Sequence, residues 1–241
     1  MHDGEHKPDP SAAVGVSSSY ARGLRLFTRG RYEQALGVLE PLAERTDLPG
    51  QMARFYRGLC CRELGVRALN AGSFEQAEGY LKAAVAALGR RADLCSYLAS
   101  VYAGTGRPAQ CANAAGWAVG QGREDVPRLR RRWAQALWQA GWRCDAQMVL
   151  TEALRRLGDD CELLLQLGLF HAAEQRYGEA RAALTRAAEL DASNPEAHYY
   201  LGLAAAADGD VLAALGPLQR TVELRWDDVL AAYQLALAAR G

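Results

Sequence analysis

Residues 161–210 read CELLLQLGLFHAAEQRYGEARAALTRAAELDASNPEAHYYLGLAAAADGD. Within them Leu167-Gly168 returns as Leu201-Gly202, at an offset of 34. Outward from this stretch the same slot holds Leu64-Gly65, Leu98-Ala99, Trp133-Ala134 and Leu235-Ala236. The series runs at offsets of 34, 35, 34, 34 and 34. A fixed period near 34 marks stacked helix–turn–helix units. In such an array each unit covers its neighbour's apolar face, so the architecture points to a binding surface rather than an active site.

A second landmark keeps the period. Ala77, Cys111, Ala146, Ala180 and Ala214 follow one another at offsets of 34, 35, 34 and 34. Phe74, Pro108, Tyr177 and Val211 open the segments that carry four of them. Gly23, Tyr32 and Ala35 form an earlier copy, displaced by 42 rather than by 34. Helix signals dominate. First helices of each pair are expected at 17–29, 51–70, 93–105, 126–140, 161–174, 195–208 and 227–239. Second helices are expected at 32–45, 74–88, 108–120, 143–157, 177–190 and 211–224. Gly30, Gly72, Gly106, Gly141 and Gly209 mark turns within units. Ser73-Phe-Glu-Gln76 is a capping-box candidate, and Asn194-Pro195 places a cap before a proline suited to the first helical position.

On these residues the chain resembles the tetratricopeptide repeat. The match lies in Leu-Gly in a first helix, a glycine turn, an aromatic residue, then Ala in a second helix. Leu167-Gly168 with Tyr177, Ala180 and Ala187, and Leu201-Gly202 with Gly209, Ala214 and Leu218, carry it most fully. Trp142 and Arg143 in the aromatic slot, and Cys111 in place of Ala, depart from the pattern. The resemblance implies an all-α, right-handed α-solenoid of about six antiparallel helix pairs with a capping helix at 227–239. It covers residues 17–241, after a disordered leader at 1–16. Leu48-Pro49-Gly50 reads as a break, and the eight extra residues before the second unit as a lengthened helix over 51–70.

Lys+Arg and Asp+Glu are both 28, which argues against general binding to nucleic acid or an anionic membrane. No apolar run reaches the length of a spanning helix, and the polar N-terminus is no secretory signal. The six cysteines, Cys60, Cys61, Cys95, Cys111, Cys144 and Cys161, lack metal-site spacing. They read as small apolar packing in a reducing cytoplasm. His2 and His6 fall in the leader, and His171 and His198 at packing slots. No nucleotide-binding, zinc-protease or nucleophile-elbow motif is present. No enzyme activity, metal or cofactor is expected.

The family's inward-facing first-helix positions then define a candidate groove. They fall on Tyr20, Leu24 and Phe27; Arg62, Val66 and Leu69; and Asp93, Ser96, Ser100 and Ala103. Further along they fall on Arg128, Arg131, Gln135 and Trp138; Glu162, Leu165 and Leu169; Tyr199, Tyr200 and Leu203; and Leu230, Tyr233 and Leu237. Exposed Leu and Tyr beside Arg128 and Arg131 fit a protein segment with apolar anchors and some acid. The Lys/Asn set with which one variety of the family holds a C-terminal acidic motif is missing. The function expected is an interaction scaffold or adaptor. Self-association through the groove is the alternative. Arg123, Arg128, Arg130, Arg131 and Arg132, with Trp133 and Trp138, offer a weaker case for single-stranded nucleic acid.

Overall fold

The computed structural model describes residues 10–121 and 126–225, with 234 and 237. Twelve helices and no strand occur among the described residues. The chain forms two compact units, Met1–Arg123 and Glu124–Gly241. The first contains α1 (Pro10–Thr28), α2 (Tyr32–Ala43), α3 (Leu48–Asn70), α4 (Phe74–Leu88), α5 (Ala92–Gly104) and α6 (Pro108–Gly120). The second contains α7 (Pro127–Gln139), α8 (Arg143–Leu157), α9 (Cys161–Ala173), α10 (Tyr177–Leu190), α11 (Pro195–Ala207) and α12 (Val211–Leu224). Within each unit the helices pair in chain order through short turns, the all-α solenoid arrangement the period implies.

The dipeptide recurs because the second helix of each pair presses a leucine onto the first. A methyl group added at Gly65, Gly168 or Gly202 would lie 2.8, 2.6 or 2.6 Å from the Cγ of Leu81, Leu184 or Leu218, each sixteen residues on. In α5 the slot holds Ala99, and the residue sixteen on shrinks to Ala115; both are fully buried. Volume is thus traded between partners, as close-packed cores require. The small residues of the second landmark, Ala77, Cys111, Ala146, Ala180 and Ala214, are all buried.

Two boundaries differ from the sequence reading. α1 begins at Pro10 rather than 17, so residues 10–16, assigned to the leader, are helical. α3 begins at Leu48, and Pro49-Gly50 lies inside its first turn rather than breaking the chain. The reason is a cap: Asp47 Oδ1 accepts the Gly50 N–H at 3.1 Å. Proline is tolerated there because first-turn N–H groups have no intrahelical partner. Asn194 caps α11 as expected, its Oδ1 accepting from the N–H groups of Glu196 and Ala197 at 3.0 and 3.3 Å. Ser73 precedes α4 but makes no side-chain cap bond, so the capping box does not form. The capping helix expected at 227–239 lies outside the described residues apart from Gln234 and Leu237.

Cys60, Cys61, Cys95 and Cys111 are buried and Cys161 half-buried, whereas Cys144 is exposed and departs from the packing reading. Burial, and next to it Cys61, pushes the Cys60 thiol up to about 12. No helix among the described residues is long and apolar enough to cross a membrane.

Candidate functional site

In the second unit the expected groove residues lie on α7, α9 and α11. Between α7 and α9 they meet in three successive rungs. Arg131 Nη2 lies 3.2 Å from Glu162 Oε2. Gln135 Nε2 donates to Gln166 Oε1 at 2.5 Å. The Trp138 ring stacks on Phe170, centroids 4.2 Å apart and planes 5° from parallel, with the Arg143 guanidinium 5.3 Å from the Trp138 centroid. Residues three and four apart on a helix share a face, so one edge of α7 is zipped to one edge of α9. Arg131, expected to meet a partner's carboxylate, already has one of its own. Arg128, one turn earlier, is exposed and has no hydrogen bond or ion pair among the described residues.

The apolar members divide. Leu165, expected to be exposed, is only 8% accessible and belongs to the core formed with Leu184, Ala187 and Ala197. Its slot lies where the inner stripe of α9 meets the face buried against α10 and α11, and the buried side prevails. Leu169 and Tyr200 are half-buried and pack against that same core. Tyr199 packs on the Ala205–Ala214–Leu218 core and meets Tyr200 edge to face, centroids 5.3 Å apart. Leu203, one turn beyond Tyr199 on α11, is half-buried. Leu169, Tyr199, Tyr200 and Leu203 therefore each keep an accessible side. Leu237 is 47% exposed, while Leu230 and Tyr233 lie outside the described residues, as does Arg123.

In the first unit Tyr20, Phe27 and Arg62 are engaged by neighbouring side chains, while Leu24, Val66 and Leu69 are half-buried like the row of the second unit. Tyr20 and Phe27 pack on the core that includes Ala35, Leu39 and Cys60. Their rings meet Tyr56 at centroid distances of 6.3 and 5.4 Å, and Phe27 also meets Tyr32 at 5.5 Å. Arg62 Nη2 lies 2.5 Å from Glu63 Oε1, and its Nη1 3.6 Å from Asp93 Oδ2. Arg62–Asp93 on α3 and α5 repeats Arg131–Glu162 on α7 and α9: in both, the acid follows the arginine at an offset of 31. The mapped positions omit the exposed apolar stripe at the start of α3. Leu48, Met52 and Phe55 there are 69%, 39% and 45% accessible, and their spacing of four and three was the signal to read.

Sequence models of two repeat families match these two regions. One, described as a tetratricopeptide repeat, covers residues 20–65, and the other, a TPR repeat, covers 168–209. These two segments are tetratricopeptide repeats. No match was found among curated protein sequences. Among solved structures, the tetratricopeptide repeats of YrrB, described as a TPR protein with an unusual peptide-binding site, superpose with a TM-score of 0.61. Identity is 19%, over 73% of this chain and 90% of that one. MamA from Desulfovibrio magneticus RS-1, from its residue 41 to the end, gives a TM-score of 0.64 at 20% identity over 71% and 97%. A chain of the APC/C hetero-tetramer Cut9–Hcn1 gives 0.60 at 13% identity, over 92% of this chain and 42% of that one. Likeness at these identities is a likeness of fold.

Proposed function

We propose that this tetratricopeptide-repeat chain is a non-catalytic cytoplasmic scaffold that holds a protein segment along α7, α9 and α11 of its second unit. The observation that carries the reading is the partly accessible row of Leu169, Tyr199, Tyr200 and Leu203 on the same set of first helices as exposed Arg128. Aromatic and leucine side chains with one covered side are ready contact surface, since little rotamer freedom remains to be lost on binding. Arg128 supplies a guanidinium for a carboxylate on the partner. The segment that fits is short and extended or helical, with an acidic residue toward α7 and apolar residues toward α11. Cysteines packed as thiols into the core suit a reducing compartment.

The test uses fluorescein-labelled dodecapeptides in which Asp/Glu precedes Leu and Tyr, against the same peptides with Lys for the acids. Fluorescence anisotropy should show saturable binding of the acidic set alone. Arg128→Glu and Leu203→Ser should each weaken it about tenfold, the range of a central contact. Equal binding of both peptide sets, or full affinity in a folded Arg128→Glu/Leu203→Ser protein, overturns the reading. Light scattering that rises with protein concentration and is abolished by Leu203→Ser would assign the row to a second copy instead.

A further inference from the structure

One turn differs from its equivalents in both units. The residue with positive φ is glycine at Gly30, Gly72, Gly106, Gly141 and Gly209, with φ between 66° and 88°. Between α9 and α10 it is Gln175, φ 62°, the only non-glycine in the left-handed region among the described residues. An L side chain is disfavoured there because its Cβ crowds the backbone. Something must hold the turn closed.

A polar cluster surrounds it. Arg176 Nη2 meets His171 Nδ1 and also donates to Gln147 Oε1 on α8 at 2.7 Å. Gln147 Nε2 donates to Glu174 Oε2 at 2.7 Å. Arg176 Nη1 lies 3.7 Å from Glu179 Oε1. Arg176 Nε is buried without a hydrogen-bond partner, although Glu174 Oε2 is 3.4 Å away. A guanidinium only donates, so this contact needs a lone pair on Nδ1, which the neutral ring with its proton on Nε2 supplies. A second proton would set N–H against N–H and cation against cation at a half-buried site. Burial first, then Arg176, pushes the imidazole below its usual range, opposed by Glu179 and Glu174. From α8 the facing group is the neutral Gln147.

We propose that the α9–α10 turn is a proton-sensitive joint. Protonation of His171 expels the Arg176 guanidinium, uncouples α10 from Gln147 on α8, and lets Gln175 leave its left-handed conformation. Leu169 lies two residues before His171 on α9, so opening the joint also loosens the inner row. The joint stands whether or not that row binds a peptide, because its test uses the free protein. The sense of the dependence is fixed: the folded state disfavours the proton. The contribution is complete above pH 6.5, the free histidine value, and falls away as pH drops toward the lower folded value.

Proton–carbon NMR of the His171 ring and amide hydrogen exchange, read on the full chain between pH 7.5 and 5, decide the matter. The ring should titrate below the free value, and Arg176→Gln should move its midpoint up. Protection of the amides at 174–180, corrected for intrinsic rates, should fall severalfold as the ring protonates, and His171→Gln should remove that fall. An unmoved midpoint in Arg176→Gln overturns the proposal. So does unchanged protection in the unmutated protein while His171 takes up its proton. That second reading needs no variant, so a misfolded His171→Gln does not shelter the idea.

Discussion

The two units are built on the same kind of core and differ in the partners their inner-face side chains meet. In the first, Tyr20 and Phe27 close over Tyr56, and Arg62 is held by Glu63 and Asp93. In the second, Arg131 is held in the same way by Glu162, but Arg128 is unpaired among the described residues and Leu169, Tyr199, Tyr200 and Leu203 keep accessible edges. A repeat position therefore sets a direction, and the neighbouring helix decides whether the side chain pointing that way is available. Tyr20 and Tyr199 occupy equivalent slots. Tyr20 meets an aromatic residue from the next first helix, and Tyr199 packs on the Ala205–Ala214–Leu218 core of its own helix pair.

The sharpest way to break this contrast is Phe27→Ala. If the first unit's aromatics are structural, the variant loses ~3 kcal/mol of stability, the usual cost of deleting a packed ring, while acidic-peptide binding at the second unit persists. Leu203→Ser should show the converse, a loss of ~1 kcal/mol or less and weakened binding. Denaturant titration and anisotropy on the same samples separate the two. A stable Phe27→Ala protein that no longer binds peptide would move the site to the first unit.

The common core design gives the next effect. Gly65→Ala in the first unit and Gly202→Ala in the second should each cost ~1–3 kcal/mol, because the new methyl meets a buried leucine. Gly79→Ala and Gly178→Ala, one in each unit, should instead stabilise by ~0.5–1 kcal/mol, since no atom beyond the chain neighbours and the helix's own backbone lies within 4 Å of the added carbon and the helix gains a better former. Unequal costs at Gly65 and Gly202 would show that the units differ in their cores as well as their faces.

What was legible follows from what is local. Helix pairs, turn glycines and the Asn194 cap depend on residues within a turn or two, and the period exposes them. The start of α3 was misjudged because the proline was read without the Asp47 cap that accommodates it. The site was only half readable. The register assigns its candidate residues to first helices, but the Arg62–Asp93 and Arg131–Glu162 pairs stand at an offset of 31, three short of a repeat. The register sets these arginines and acids on the same face without pairing them. Leu165 failed for a related reason: at the border of a stripe, burial depends on how closely α11 approaches, and no single helix's pattern contains that.

Turn chemistry gives a smaller effect. Gln175→Gly should stabilise the second unit by ~1 kcal/mol, and Gly72→Gln should cost the first a similar amount, because both act on a left-handed residue at the same place in the repeat. Thermal melts of the two variants should shift in opposite directions. A Gln175→Gly protein no more stable than its parent would mean that the turn's cluster, rather than its backbone, dominates.

The smallest effect separates the units by acid. Arg107 donates to Glu78 at 2.6 and 3.1 Å in the first unit, and Arg176 to Gln147 at the same repeat positions in the second. Arg107 chiefly, with Lys82 beside it, holds the Glu78 carboxyl down to about 2 from 4.5. A depressed carboxylate contributes stability that is complete above 4.5 and lost as pH falls from there toward about 2. Both side chains are only half-buried, so solvent screening keeps the effect small. Glu78→Gln should abolish that acid-dependent loss in the first unit and leave the second unit unchanged. The second unit's clamp has an amide in place of that carboxylate, so the first loss on acidification is expected at His171, at higher pH. Exchange protection followed separately at 74–80 and 174–180 should therefore fall in two steps, the second unit first. A single common step would mean that neither clamp governs its own junction.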